Sequence, residues 1–289
     1  MVGKLIKNEL KAGLHFMTPI YIVTAVISAL LYILLGKAAE TENAPQAGLL
    51  ILGIGFVCIC VFLGTIISVI SNFNKSMFKD QGYLTFTLPV TSNQLLFSKA
   101  LCSFFWILLS YIITLALLAG AFFSMFFNLM EKYDAENIQI TADLIINMLS
   151  GVVNLPWTNL ADILSAIISI VIFAVIYLFI TTLHTVSQIY FSVSLSNIRP
   201  LDKFGMFSTI GVYFIVWAST SIISTIINSS IPFGLKIGLT GVETVADFSV
   251  LDPTKTMLFG MGDLVFPVIA TVFFFFMTSW FMKHKINLK

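Results

Sequence analysis

Six stretches of this chain carry no Asp, Glu, Lys or Arg: residues 12–36, 43–74, 100–130, 163–198, 204–235 and 264–282. A helix needs about 20 mostly apolar residues to cross the hydrocarbon core of a bilayer, and a charge left there costs several kcal/mol, so each stretch is long enough to cross once. Of the 289 residues, 58% are hydrophobic and only 10% are charged, and the mean hydropathy is +0.99. A soluble domain needs roughly a quarter of its residues charged, so a water-soluble fold is excluded. The expected fold class is an all-α membrane protein. A single transmembrane domain, 1–289, carries six helices near 16–36, 47–71, 99–127, 163–195, 205–231 and 263–282.

Six crossings put both termini on one side, and the basic residues choose it. With the N-terminus inside, 11 of the 15 Lys and Arg residues are inside, and only Lys37, Lys132, Lys236 and Lys255 fall outside. Acidic residues divide the other way, with Glu9, Asp80 and Asp202 inside and the other 11 of 14 outside. The Lys and Arg bias alone sets orientation, and it marks both termini as cytoplasmic.

The first fourteen residues, MVGKLIKNELKAGL, set Val2, Ile6 and Leu10 on one helical face and Lys4, Lys7, Asn8 and Lys11 on another. That is the pattern of a basic amphipathic helix at the inner interface, lysines toward anionic head groups. A cleaved signal peptide is the rival. Its apolar part, Phe16 to Leu35, is longer than a signal core and lacks a clear small-residue cleavage site, so 1–14 is expected to be retained.

The outer segments 128–161 and 232–262 are long enough to fold. In the first, TADLIINMLSGVVNLPW carries a helix start near Thr141 and places Trp157 where aromatic side chains settle at an interface. A small outer cap and a loosely ordered loop both fit it. Cys58, Cys60 and Cys102 all fall within spans. Cysteine there packs as a small apolar side chain, so neither a disulfide nor a metal site is expected.

Between the second and third spans, residues 75–90 form a cytoplasmic segment longer than a simple turn needs. Several of its residues are apolar: Met77, Phe78, Tyr83, Leu84, Phe86, Leu88 and Val90. Apolar side chains beyond the membrane must bury themselves in the interface, in their own bundle or in a partner. Gly82 permits a sharp change of direction. Pro89 stops regular structure just before Thr91 and Gln94, which match a capping box that launches the third span. Leu84, Phe86 and Leu88 alternate with Thr85 and Thr87, a strand-like period that leaves helix and strand both open.

The string DQGYLTFTLPVTSNQLLFSKALCSFFW resembles the corresponding segment of type-2 ABC exporter permeases of Gram-positive bacteria. There an acidic-Gly-Tyr-Leu-Thr and a Leu-Pro-Val pattern precede Gln-Leu-Leu and Ser-Lys. The six-span layout and the amphipathic start are similar to that family as well. The resemblance implies a coupling helix that fits a groove in a separate cytoplasmic ABC ATPase subunit and carries its ATP-driven closure to the spans. Carried over by position, that contact falls on Lys79, Asp80, Gly82, Tyr83, Leu84, Phe86, Leu88 and Pro89, with Phe78 just ahead of them. Gln81 stands where the family more often has Glu, which removes an ion pair from that position. The rival reading folds these residues back on the ends of their own spans.

Several chemistries lack their residues. A phosphate-binding loop needs G-x-x-x-x-G-K-[ST], and the one Gly-Lys pair, Gly36-Lys37, is followed by Ala with no glycine five residues earlier. This chain is therefore expected to be no enzyme and to hold no cofactor, with ATP and Mg on the partner subunit. Three histidines, His15, His184 and His284, form no His-x-x-x-His, which argues against a metal-dependent membrane enzyme. The charge-free runs hold no carboxylate relay, which argues against an ion-coupled carrier.

Two polar stripes run at helical spacing: Thr181, His184, Thr185, Gln188 and Ser192 in the fourth span, and Thr220, Ser221, Ser224, Thr225 and Asn228 in the fifth. They line a translocation path, chiefly Thr181, His184, Gln188, Ser224 and Asn228, or they hold helices together by hydrogen bonds. The expected function follows from the resemblance: the permease subunit of an ABC exporter in a bacterial cytoplasmic membrane, moving hydrophobic or amphipathic peptides, drugs or lipid-like molecules outward by alternating access. Its expected partners are the ATPase, a second permease chain, identical or not, membrane lipid and cargo, with no nucleic acid. An ion-coupled carrier or channel, or a membrane scaffold or sensor, are the alternatives.

Overall fold

A computed structural model describes residues 2–40, 44–78, 92–132, 160–198, 201–231, 234–238, 241–245 and 257–284. Six helices carry the chain: α1 (Val2–Glu40), α2 (Ala44–Phe78), α3 (Ser92–Lys132), α4 (Leu160–Ser196), α5 (Gly205–Ser230) and α6 (Met261–His284). Each is long and apolar enough to cross a membrane, as the charge-free runs require.

Burial follows the logic of a lipid solvent. Along α1, Ile22, Val23, Val26, Leu30 and Ile33 are exposed, while Thr24 and Ser28 are buried with Met17, Leu35 and Ala38. Lipid is as apolar as these side chains, so exposing them carries no penalty. Hydroxyls and small residues go inward, where helices approach closely and hydrogen bonds are met. Thr24 Oγ1 donates to the Ile20 carbonyl at 2.7 Å, and Thr65 Oγ1 to the Val61 carbonyl at 2.8 Å.

The chain divides into two compact units. The first contains α1 to α3, the end of α4 from Thr185, the start of α5 to Phe214 and the end of α6 from Phe274. Its core packs Ile70, Phe73 and Met77 of α2 with Leu95 and Ile107 of α3 and Val186, Ile189, Tyr190 and Val193 of α4. A 3-10 turn, Leu201–Phe204, leads into α5 at Gly205, whose φ of 57° is a left-handed conformation that glycine adopts without strain. The second unit holds the remaining parts of α4, α5 and α6.

Three features depart from the sequence-based expectation. An antiparallel sheet of order β2-β1-β3 interrupts the all-α reading: β1 (Gly234–Gly238), β2 (Gly241–Val245) and β3 (Met257–Gly260). Gly238 pairs with Gly241 across a two-residue connection, and Ile, Val and Thr supply β-branched side chains, so GLKIG and GVETV satisfy the local rules for a hairpin. Next, α2 continues to Phe78, so residues 75–78 are its last turn rather than part of a loop. Finally, residues 2–14 are not set apart by a break; they are the first turns of α1. Lys7, Asn8 and Lys11 are exposed, while Leu5 and Leu10 pack against the chain's own core cluster. The expected helix near Thr141, Trp157 and residues 79–91 lie outside the described residues.

Candidate functional site

The 79–91 segment joins two helix ends, and both are anchored in the first unit. At the end of α2, Phe73 and Met77 are buried with Asn74 and Ser76; at the start of α3, Leu95, Leu96, Ser98 and Lys99 are buried. An apolar residue every three or four positions on each helix turns these ends inward. Any displacement of the connecting segment must act on these packed turns.

The polar groups here are tied across helices. Lys99 of α3 donates to Glu9 of α1; the lysine side chain is 3% exposed and the glutamate 18%. A lysine this deep is tolerated because a carboxylate meets it. One turn on, Cys102 Sγ donates to the Ile6 carbonyl at 3.5 Å, a second link to α1. Ser103 and Tyr190 share a hydroxyl hydrogen bond of 2.8 Å, which brings in α4. The Tyr190 ring stacks on Phe73 of α2 at 3.9 Å and 9°, and meets Phe275 of α6 edge-on at 6.5 Å. Asn197 Nδ2 donates to Asn74 Oδ1 at 3.1 Å, closing the α2 to α4 contact. Five helices thus meet through named polar and aromatic pairs.

Within this cluster lies a cavity of about 20 Å³, lined by Glu9, Ser76, Lys99, Ser103, Trp106 and Tyr190 among others. The buried Trp106 Nε1 finds no acceptor among the described residues. The space exceeds the 10–15 Å³ that one water needs, and its wall supplies several polar partners. This arrangement ties the helices to one another. Among the described residues no group of three or more His, Cys, Asp or Glu could hold a metal ion.

Of the nine residues assigned to ATPase contact, Phe78 alone is described. It is half-buried at the end of α2, packed on the core with its ring 6.2 Å from Phe73. Lys79, Asp80, Gly82, Tyr83, Leu84, Phe86, Leu88 and Pro89 lie outside the described residues.

The residues assigned to a translocation path separate into distinct settings. Thr181 Oγ1 donates to its own helix at the Tyr177 carbonyl, 2.9 Å away, and His184 Nδ1 lies 3.4 Å from Thr271 Oγ1. Gln188 is buried, and its carbonyl accepts from Ser192 Oγ at 2.7 Å. Ser224 and Asn228 do converge, on the first turn of α6. Asn228 Nδ2 donates to Asp263 Oδ2 at 2.9 Å and Asn228 Oδ1 accepts from Gly262 N at 2.7 Å. Ser224 Oγ donates to the Gly262 carbonyl at 2.9 Å, with Asp263 Oδ1 a second acceptor at 3.2 Å. A side chain at Gly262 would collide with the Ser224 carbonyl and Asn228, and one at Gly260 with Asn228, so glycine is what lets α5 and α6 close here.

Three functional groups escaped the sequence reading. Glu9, Lys99 and Asp263 stand just outside the charge-free runs, yet the helices extend through them. Their positions at the run edges were visible, whereas a Glu9–Lys99 pair separated by 90 residues leaves no local pattern.

On the outside of the first unit, α1 and α2 enclose an apolar groove of about 570 Å³ that includes Pro19, Val23, Ile27, Phe56, Cys60 and Gly64. Compared with known proteins, the chain matches no family model, no curated protein and no solved structure.

Proposed function

We propose that this multi-pass membrane protein is the permease subunit of an ABC exporter, moving hydrophobic or amphipathic cargo outward under the power of a separate ATPase. In this reading both termini are cytoplasmic, the lysines of residues 1–14 face the inner leaflet, and the 79–91 segment receives the push of the ATPase. One observation carries it: the DQGYLTFTLPV string resembles the acidic-Gly-Tyr-Leu-Thr to Leu-Pro-Val segment of exporter permeases, with Gln81 in place of the acidic residue, and falls between two helix ends. Support comes from the packing around it. The segment is flanked by Phe78 and by Leu95, and both flanks join one core with α1 and α4, so movement there would reach four helices together.

The experiment is co-purification with the ATPase encoded in a neighbouring reading frame, using the wild-type chain and the Gly82→Pro and Leu84→Asp variants. The wild type retains the ATPase and both variants lose it. Retention in both variants, or no association in the wild type, refutes the contact.

A second reading draws on Asp263. A carboxylate beside Ser224 and Asn228 at a helix start is the kind of group an ion-coupled carrier uses. Asp263→Asn separates the two: nucleotide-dependent transport continues in the variant if the exporter reading holds, and ion-driven transport is abolished if the carrier reading does.

A further inference from the structure

We propose that the groove between α1 and α2 binds one anionic phospholipid, with an acyl chain in the groove and the phosphate at Lys75. This does not rest on the exporter reading.

The groove is almost wholly apolar, and its 570 Å³ falls within the 300–1,000 Å³ range of small-molecule sites. Along α1 it runs from Pro19 to Ile27, about 12 Å at 1.5 Å per residue, a length that suits an extended chain lying along the helices. Gly64 keeps one end open. It carries no side chain, and its nearest neighbour is Ile20 of α1, 3.6 Å from where a Cβ would stand. Val23, Phe56 and Cys60 are exposed, so the wall is presented outward to lipid.

Both walls lead to the same mouth. On α1, Phe16 lies one turn before Ile20 on the groove side. On α2, Cys60, Gly64 and Lys75 fall on one face, since spacings of four and eleven residues return a helix to the same side. Beyond the Pro19 and Gly64 end of the groove, Lys75 Nζ stands 5.5 Å over the Phe16 ring. Lys75 is exposed and has no carboxylate partner among the described residues.

Depth and charge select the occupant. From Ile27 to Phe16 α1 rises about 16 Å, close to half of a hydrocarbon core of about 30 Å, so an acyl chain lying along the groove would bring its phosphate to Lys75. An apolar groove with a lysine beyond its end that has no carboxylate partner among the described residues complements a chain with an anionic head. A zwitterionic lipid offers the same chain and its phosphate is offset by its own ammonium. An apolar helix of another chain would leave Lys75 without a counter-charge.

The test is native mass spectrometry of the full chain released from nanodiscs of equimolar phosphatidylglycerol and phosphatidylcholine with matched acyl chains. Wild type is expected to retain one phosphatidylglycerol with roughly fivefold preference, the effect of one lysine near a lipid surface. Lys75→Gln keeps a bound lipid and loses the preference. Cys60→Phe and Val23→Phe, one from each wall, fill the groove from exposed positions and lose the lipid while melting as the wild type does. Equal retention of the two lipids by wild type overturns the proposal, as does unchanged retention in both groove-filling variants. A lipid-free dimer that either filling variant breaks assigns the groove to a second copy and overturns it as well.

Discussion

Replacing Glu9 with alanine is expected to cost the folded bundle about 3 kcal/mol, because it leaves the Lys99 ammonium buried without its carboxylate. The figure is at the low end of the range for broken buried pairs, since Glu9 still reaches the surface at 18% exposure. A substitution on an exposed helix face would cost a few tenths. The measurement is a thermal melt of the detergent-solubilised chain, with midpoints several degrees apart. Adding Lys99→Met to the Glu9→Ala chain removes the stranded charge and fills its volume, so the double variant should recover most of the loss. If Glu9→Ala melts as the wild type does, the pair is not buried and the link from α3 to α1 falls with it.

Truncating Tyr190 to alanine has a comparable effect, also about 3 kcal/mol, and Tyr190→Phe costs about 1. The tyrosine is fully buried, stacked on Phe73 and bonded to Ser103. In a bundle surrounded by lipid the loss comes from packing rather than from transfer out of water, which holds the alanine figure near the bottom of the range for aromatic truncations. The phenylalanine variant keeps the ring contacts and leaves the Ser103 hydroxyl short of one partner. Equal melting of the two variants would mean that the stack contributes nothing and the hydroxyl bond everything.

These two sites bear on the proposed mechanism through their location. Glu9, Lys99, Phe73 and Tyr190 belong to four different helices, and two of these, α2 and α3, are the ones that the 79–91 segment joins. In the exporter reading proposed above, a force on that segment would reach this cluster through the ends of α2 and α3. Variants that loosen it should therefore weaken transmission to the spans even where association with an ATPase survives.

What was legible beforehand differs between features for a physical reason. Asn228 and Ser224 were recognised as a polar stripe on one helix, because a 3.6-residue period is a property of the local chain. Their meeting with Asp263 and the glycine contact that permits it were not, since those depend on which helix lies alongside. The β1–β2 hairpin was accessible in principle from GLKIG and GVETV, but a three-residue Leu-Lys-Ile alternation between glycines is weak against the strong apolar signal on either side. Phe78 reads from the sequence as part of the cytoplasmic segment 75–90, whereas α2 continues to it and its ring stands 6.2 Å from Phe73.

By itself the sequence determined the number and type of the spanning elements. Hydrocarbon thickness sets a minimum length for an uncharged helix, and that requirement acts within each segment. Only the tertiary structure decided where the charges at the span edges go. Lys99 is stable in the interior solely because Glu9, distant in the chain, is brought beside it, and no local pattern encodes such a meeting.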